Sequence, residues 1–328
     1  MGIKNFNNIL KEYVSTEIKE YNLTHYSNKI IAVDTSLILY KYVSAMRNSG
    51  KDLTDNNNNS TSHIFAILQN INLFISKKIK PIYVFDGQAP EIKNLTLDKR
   101  RKIKETAKEK QKKCKSKDDE IKYFKRSLVI TKQQYNEVKL VLTILGIPFI
   151  QADGEADIIC SYLVRDKIAY AAYSEDMDFL TFGCPILLKK KGSKIQEIKL
   201  DSILKDLELS YISFIHLTIL LGCDYISTIK GIGYKTAYKL IKQHSTIDEL
   251  INKNTKYTIP SKYNYKQIIN YYKNPGYKTY PSKIIFNLPD YDKLKTLLIK
   301  KNFQEKIIND YLKKFNKNLN FHNCSLHT

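Results

Sequence analysis

Ile30-Ile31-Ala32-Val33-Asp34 and Pro81-Ile82-Tyr83-Val84-Phe85-Asp86-Gly87 are short apolar runs, rich in β-branched and aromatic residues, that each close on an aspartate. Both read as buried strands with an acid at the carboxyl end. Between them, residues 61–78 carry Ile64, Phe65, Leu68, Ile71 and Ile75 at the helical period, with Ser or Thr available as the N-cap. Strand, helix, strand suggests a parallel βαβ unit. The pattern recurs: residues 135–145 read as an amphipathic helix stopped by Gly146, and 147–150 as a strand. Gly154 then opens a helix through Val164, and a strand over 169–173 delivers Asp176 and Asp178. The expected fold is α/β, a central, mostly parallel sheet with helices on both faces.

Open parallel sheets carry their sites outside the carboxyl ends of the strands, so four segments would bring acids to one rim. The acids at segment ends are Asp34, Asp86, Glu155, Asp157, Asp176, Asp178 and Asp224, in a chain of net charge +21. A basic body attracts polyanions, whereas converging carboxylates repel them unless they hold divalent cations that invert the local field. That pairing points to a metal-dependent enzyme acting on nucleic acid. Charge alone is weak support, because the 24 Tyr, the Asn56–Asn59 run and the few Gly carry the stamp of an AT-rich genome. Oxygen donors favour Mg²⁺, with Mn²⁺ able to substitute, over zinc.

The 328 residues suffice for one large α/β domain or a domain with a small appendage. Five cysteines form no Cys-x-x-Cys pair, which argues against a disulfide framework and a structural zinc site. The chain lacks a stretch of about 18 apolar residues for a membrane span, and no secretory h-region opens it. A soluble intracellular chain with no membrane partner is expected.

From Lys93 to Lys117 there are twelve Lys or Arg against three acids. The whole 93–126 stretch reads as mobile helices projecting from the body. Charge alone fits a solvated helix or a nuclear localisation signal equally well, and its position directly after the Asp86 strand end tips the reading toward substrate. Beyond Asp224, Gly231-Ile232-Gly233 precedes Tyr234-Lys235-Thr236-Ala237. A Gly-x-Gly turn opening a helix presents free N–H groups and a positive dipole end to a phosphate, with Lys230, Lys235 and Lys239 beside it.

Taken together, these segments resemble the flap endonuclease family of structure-specific 5′ nucleases from Met1 to about Phe315. The motifs are Met1-Gly2-Ile3, Ala32-Val33-Asp34, Val84-Phe85-Asp86-Gly87, Gly154-Glu155-Ala156-Asp157, Ser174-Glu175-Asp176-Met177-Asp178 with Leu180-Thr181-Phe182-Gly183, and Leu221-Gly222-Cys223-Asp224-Tyr225 before Gly231-Ile232-Gly233. The resemblance implies a PIN-like nuclease fold with a basic helical arch and a helix-hairpin-helix element. It also implies a two-Mg²⁺ site, with Asp34, Asp86, Glu155 and Asp157 mainly on one ion and Asp176, Asp178 and Asp224 on the other. Lys93 and Arg100 would be the catalytic cations. Tyr40, Arg47, Glu155, Gly222, Asp224, Gly231, Gly233 and Lys235 would face DNA.

Three departures stand out. Asp157 replaces the commoner Glu. Asn70 lies where the family often has a DNA-contacting Arg. Gln304 and Ile307 begin a sliding-clamp peptide that Asp310 breaks, so the segment reads as helix and no conventional clamp box is expected. The organisation implied is a nuclease region with the start of the arch over 1–110 and the rest of the arch over 111–130. A second nuclease region would fill 131–225, the helix-hairpin-helix and C-terminal helices 226–315, and a short tail 316–328. The leading expectation is a monomeric 5′-flap endonuclease with 5′→3′ exonuclease activity on branched DNA in replication, repair or recombination. It would work in the nucleus, or at a host nuclear or cytoplasmic replication site for a virus. The alternatives are an exonuclease or gap nuclease of the same superfamily and a catalytically silent DNA-binding scaffold.

Overall fold

The computed structural model describes residues 2–16, 18–253, 257, 260, 263–276, 280, 281 and 284–319. Met1 of the opening motif and residues 320–328 of the expected tail lie outside them. Contacts cluster into two compact units, a first of Met1–Asn22, Gly87–Thr96 and Asp153–Thr279 and a second of Leu23–Asp86, Leu97–Ala152 and Tyr280–Thr328. The strands described are β1 (Lys19–Tyr21), β2 (Ile30–Asp34), β3 (Lys80–Phe85), β4 (Phe149–Gln151), β5 (Ala171–Tyr173), β6 (Ile186–Lys191) and β7 (Lys194–Lys199). No described helix is long and apolar enough to cross a membrane.

In the second unit β2, β3 and β4 run parallel, with Asp34 opposite Val84 and Phe85 opposite Gln151. β2 is buried along its whole length and β3 everywhere but Lys80, which is why both read as unbroken apolar runs. The helix Ser62–Ile75 lies between them in sequence and buries Ile64, Ile67, Leu68, Ile71, Phe74 and Ile75. Full burial of each such side chain is worth about 1.5–3 kcal/mol. Phe65, expected on that face, is only half-buried and stacks toward Phe303, with ring centroids 6.5 Å apart. Thr61 is the N-cap, but its side chain makes no capping bond; its carbonyl accepts from the N–H groups of Ile64 and Phe65 instead. Further along, the helix Lys132–Ile144 starts earlier than apolar periodicity indicates because Thr131 and Gln134 form a reciprocal capping box. Gly146, at φ +66°, follows its end.

The first unit departs from a purely parallel plan. β5 and β6 are parallel, but β6 returns antiparallel as β7, and β1 adds antiparallel to β7. Lys191 pairs with Lys194, so Gly192-Ser193 is a two-residue turn with Gly192 at φ +59°, the first central position where such hairpins favour glycine. Tyr211–Leu221 is a helix buried on every side from Ser213 onward and therefore central to this unit.

Asn70, which stands where the family often has a DNA-contacting Arg, has an internal role. It is fully buried, and its Oδ1 accepts a 2.7 Å hydrogen bond from the Tyr83 hydroxyl, so it ties helix Ser62–Ile75 to β3 and does not stand at a DNA-facing surface. An arginine there would bury a guanidinium without a carboxylate partner. Asn70→Arg should destabilise the fold by about 3–5 kcal/mol in urea unfolding; wild-type stability would show that the position reaches solvent.

Candidate metal and nucleic-acid site

Five of the seven acids belong to the first unit. Glu155 is the N-cap residue of the helix Ala156–Arg165, and Asp157 lies in its first turn, where negative charge meets the positive end of the helix dipole. Asp176 and Asp178 follow β5, with the Asp178 N–H donating to Asp176 Oδ1 at 3.1 Å. Asp224 lies just past the buried helix Tyr211–Leu221, and the Thr96 hydroxyl donates to its backbone carbonyl.

Lys93 binds into this group. Its ammonium pairs with Glu155 Oε1 and stands 3.7 Å from Asp224 Oδ2. Burial alone would favour the neutral amine, but Glu155, Asp157 and Asp224 outweigh it and hold Lys93 firmly protonated. For Asp176 and Asp178 the same ammonium is outweighed. Burial raises Asp176, opposed by the Asp178 N–H and assisted by the Asp224 charge; burial and then the Asp176 and Asp224 charges push Asp178 well above the usual carboxylate range. The Asp178 Oδ1 is buried and has no hydrogen-bond partner.

Gly2 presses against this pair. It sits at φ +83°, and a Cβ there would fall 2.0 Å from Asp176 Oδ1, so only glycine lets the chain pass. Lys4 N–H donates to the Gly222 carbonyl at 2.9 Å, fastening the same segment to the stretch before Asp224. Gly222 thus has a packing role as well as its expected place near DNA. Two phenols complete the surroundings: Tyr225 and Tyr271 both donate to Glu155 Oε2, the latter at 2.9 Å. Burial, and then the Glu155 charge, push the Tyr225 phenol far above its ordinary range, so it remains an O–H donor.

The second unit holds the other two acids. Asp34 ends β2 and caps the helix Thr35–Met46, accepting from the Leu37 N–H at 3.1 Å, and Asp86 directly follows β3. Tyr135, which the sequence did not single out, donates to Ser36 Oγ at 3.2 Å; burial, then the nearby Tyr40, Asp86 and Asp34, raise its phenol. Tyr40 is covered by Lys104, whose ammonium lies 4.8 Å from its ring centroid and donates to its hydroxyl at 3.2 Å. Arg47 is engaged inside the protein: it forks onto Asp52 at 2.9 and 2.7 Å, donates to the Phe124 carbonyl at 2.8 Å and lies 4.0 Å over the Phe124 ring. Arg100 is half-buried on the helix Asn94–Lys113.

The 93–126 stretch forms two helices, Asn94–Lys113 and Lys117–Arg126, and Ala107 is their only buried residue. In the first unit Gly233 caps the helix Tyr234–His244, and a Cβ on Gly231 or Gly233 would meet nothing within 4 Å. Their backbone is open to an incoming group. Lys235 is not idle there, since it pairs with Glu12 at 2.7 Å while the Tyr234 hydroxyl donates to the other Glu12 oxygen at 2.8 Å.

The donor set of the first unit fits a hard divalent cation. It is all carboxylate oxygen, it carries an orphaned buried oxygen on Asp178, and burial, followed by the charges of neighbouring carboxylates, raises Asp176 and Asp178, a cost that a cation would relieve. Among the described residues no three His, Cys, Asp or Glu side chains already form a closed cage. Lys93 and the two phenols hold oxygens that such a cage would use.

The XPG N-terminal domain matches residues 1–107 and the XPG I-region residues 146–224, which sets the chain in the XPG class. A curated relative, Flap endonuclease 1 of Entamoeba dispar, is 36% identical over 96% of this chain and 87% of its own length. The chain belongs to the flap endonuclease family. It spans only about half (53%) of the Plasmodium falciparum Flap endonuclease 1, to which it is 36% identical over 97% of its own length. Among solved structures, the catalytic core of Rad2 in complex with DNA substrate superposes with a TM-score of 0.74, covering 96% of this chain and 100% of that one at 22% identity. The expected α/β nuclease-type fold is therefore the fold observed.

Asp178→Asn tests the electrostatic reading. A buried carboxylate raised above its unfolded value costs stability as pH climbs through the interval between the two values. In chelator at neutral pH, Asp178→Asn should be more stable than wild type by about 1–3 kcal/mol. The gain should shrink as the pH falls into the acid range and wild type takes up its own proton. Thermal melts across pH with chelator check this, and a less stable variant at neutral pH would refute the repulsion.

Proposed function

We propose that this chain is a Mg²⁺-dependent structure-specific nuclease that incises DNA at the base of a 5′ flap and also acts as a 5′→3′ exonuclease, leaving a 5′-phosphate and a 3′-hydroxyl. The observation that carries this is the group of buried and half-buried carboxylates around Lys93, just before a helix that is basic and almost wholly exposed. When bound, hard divalent cations supply phosphate neutralisation and an activated water. Glu155, Asp157, Asp176, Asp178 and Asp224 would hold them, and the family resemblance implies Asp34 and Asp86 as further ligands. Lys93, fixed in its charged state, donates to an oxygen that gains charge as the phosphodiester breaks. Arg100 is its expected partner.

Recognition would be of backbone and shape rather than bases. The exposed backbone at Gly231 and Gly233 and the cation of Lys235 suit a phosphate, while Lys99, Arg101, Lys102, Lys104 and Lys108 line the exposed basic helix. Tyr40 presents a ring already paired with a cation, an arrangement that suits stacking on a base. Arg47, fully engaged with Asp52 and Phe124, would act on DNA by bracing the helix Lys117–Arg126. The relatives are called Flap endonuclease 1, and the Rad2 core is described with DNA substrate; both support DNA as the partner. Gln304, Ile307 and Asp310 sit at the N-cap and within the helix Glu305–Asn318, which supports the absence of an extended clamp-binding peptide in that segment. The working form is a monomer acting in the nucleus or at a viral replication site.

End-labelled DNA carrying a 5′ flap, a nick, a gap or a blunt end, incubated with Mg²⁺ and with chelator, tests the proposal. Chelator-sensitive incision at the flap base is expected, and Lys93→Ala should lower kcat by about 10²–10³-fold. Degradation from a nick without flap incision would replace this reading by an exonuclease. Tight binding without cleavage would replace it by a scaffold.

A further inference from the structure

The Glu155 carboxylate is held on both sides. Oε1 takes the Lys93 ammonium, and Oε2 takes two phenols, Tyr225 and Tyr271. The three donors come from widely separated parts of the chain: a residue preceding the basic helix, a residue following Asp224, and the helix Tyr265–Lys273. Tyr271 lies 116 positions beyond Glu155.

We propose that Tyr271, with Tyr225, is a positioning residue for Glu155: the phenols retain Oε2 so that Oε1 is the one oxygen Glu155 offers to a divalent cation. This rests on the first-unit acids being cation ligands. A free carboxylate turns about its terminal bond and presents either oxygen or both. With two O–H donors on Oε2, that rotation breaks two hydrogen bonds at once. Oε1 is then the face from which Lys93 departs and at which a cation arrives, the ammonium being a stand-in for that charge.

Packing does not require the hydroxyl at position 271. The Tyr271 ring meets Tyr225 edge-on at 5.4 Å and Phe182 edge-on at 5.9 Å, and Tyr272 at 6.5 Å; a phenylalanine would keep all three. What phenylalanine loses is the bond to Glu155. Two opposing effects set the sign of that loss. Hydrogen bonds on a carboxylate make it a weaker base, so removing one would strengthen a ligand already in place. They also keep it from folding both oxygens onto Lys93, and removing them lets the ion pair close over the ligand. With an ammonium already on Oε1, the second effect dominates, as it commonly does for outer partners that orient a ligand.

The test is Mn²⁺ binding to the full chain without DNA, read as loss of the free-ion signal in electron paramagnetic resonance, with melting in chelator as the control. Tyr271→Phe should raise the Mn²⁺ dissociation constant about tenfold, and adding Tyr225→Phe should raise it further, with each variant still folded and melting cooperatively in chelator above the temperature of the titration. In a Glu155→Gln background, Tyr271→Phe should have no further effect on Mn²⁺. Unchanged or tighter binding in Tyr271→Phe would overturn the proposal, as would an equal loss in the Glu155→Gln background, which would mean the tyrosine acts on the fold at large. Failure of wild type to bind Mn²⁺ would instead remove the cation reading beneath it.

Discussion

Five carboxylates gathered about a single ammonium are the constraint on which the first unit is built. Taking even one such charge out of water costs several kcal/mol unless it is paired and hydrogen-bonded. Each local peculiarity around the group answers that cost. Glu155 receives a cation and two phenols, Asp224 receives a cation, and Asp157 uses the amino end of a helix. Asp176 and Asp178 are served least, with Gly2 packed so closely that no side chain could come between. Natural sequences seldom maintain buried repulsion that can be removed by one amide substitution. Its presence marks a site whose electrostatic balance is completed by something from outside.

The sequence was most legible where burial dictated residue type. β2 and β3 are unbroken apolar runs because parallel strands are covered on both faces, and their terminal acids were visible for the same reason. Helix interiors were legible, but their starts less so: the periodicity began after Thr131, while the reciprocal bonds of Thr131 and Gln134 set the true origin. The β6–β7 hairpin went unread because Lys189, Lys190 and Lys191 mask the alternation, although Gly192-Ser193 was the turn signal to follow.

The site divides along the same line. Segment ends and motifs singled out the acids, and the family resemblance singled out Lys93. Neither revealed Tyr225 or Tyr271 as partners of Glu155, or Tyr135 beside Asp34 and Asp86, because in a chain with 24 tyrosines no single one announces itself. Asn70 and Arg47 show the converse. The family resemblance implied a DNA contact for Arg47 and replaced a contact residue at Asn70, but it showed neither the fork of Arg47 onto Asp52 nor the buried bond of Asn70 to Tyr83.

The contact between Glu12 and the pair Tyr234 and Lys235 changes how the helix beginning at Tyr234 meets an anion. Most surface lysines carry a diffuse cloud of dissolved ions, and a polyanion that displaces this cloud gains entropy from its dispersal, the origin of steep ionic-strength dependence. Lys235 instead carries a counterion tethered to its own backbone. A phosphate that takes this lysine exchanges one anion for another, and the displaced carboxylate goes nowhere. Affinity gained there would depend less on added salt than affinity gained at the exposed basic helix, so a phosphate at this corner would be sensed more by geometry than by charge.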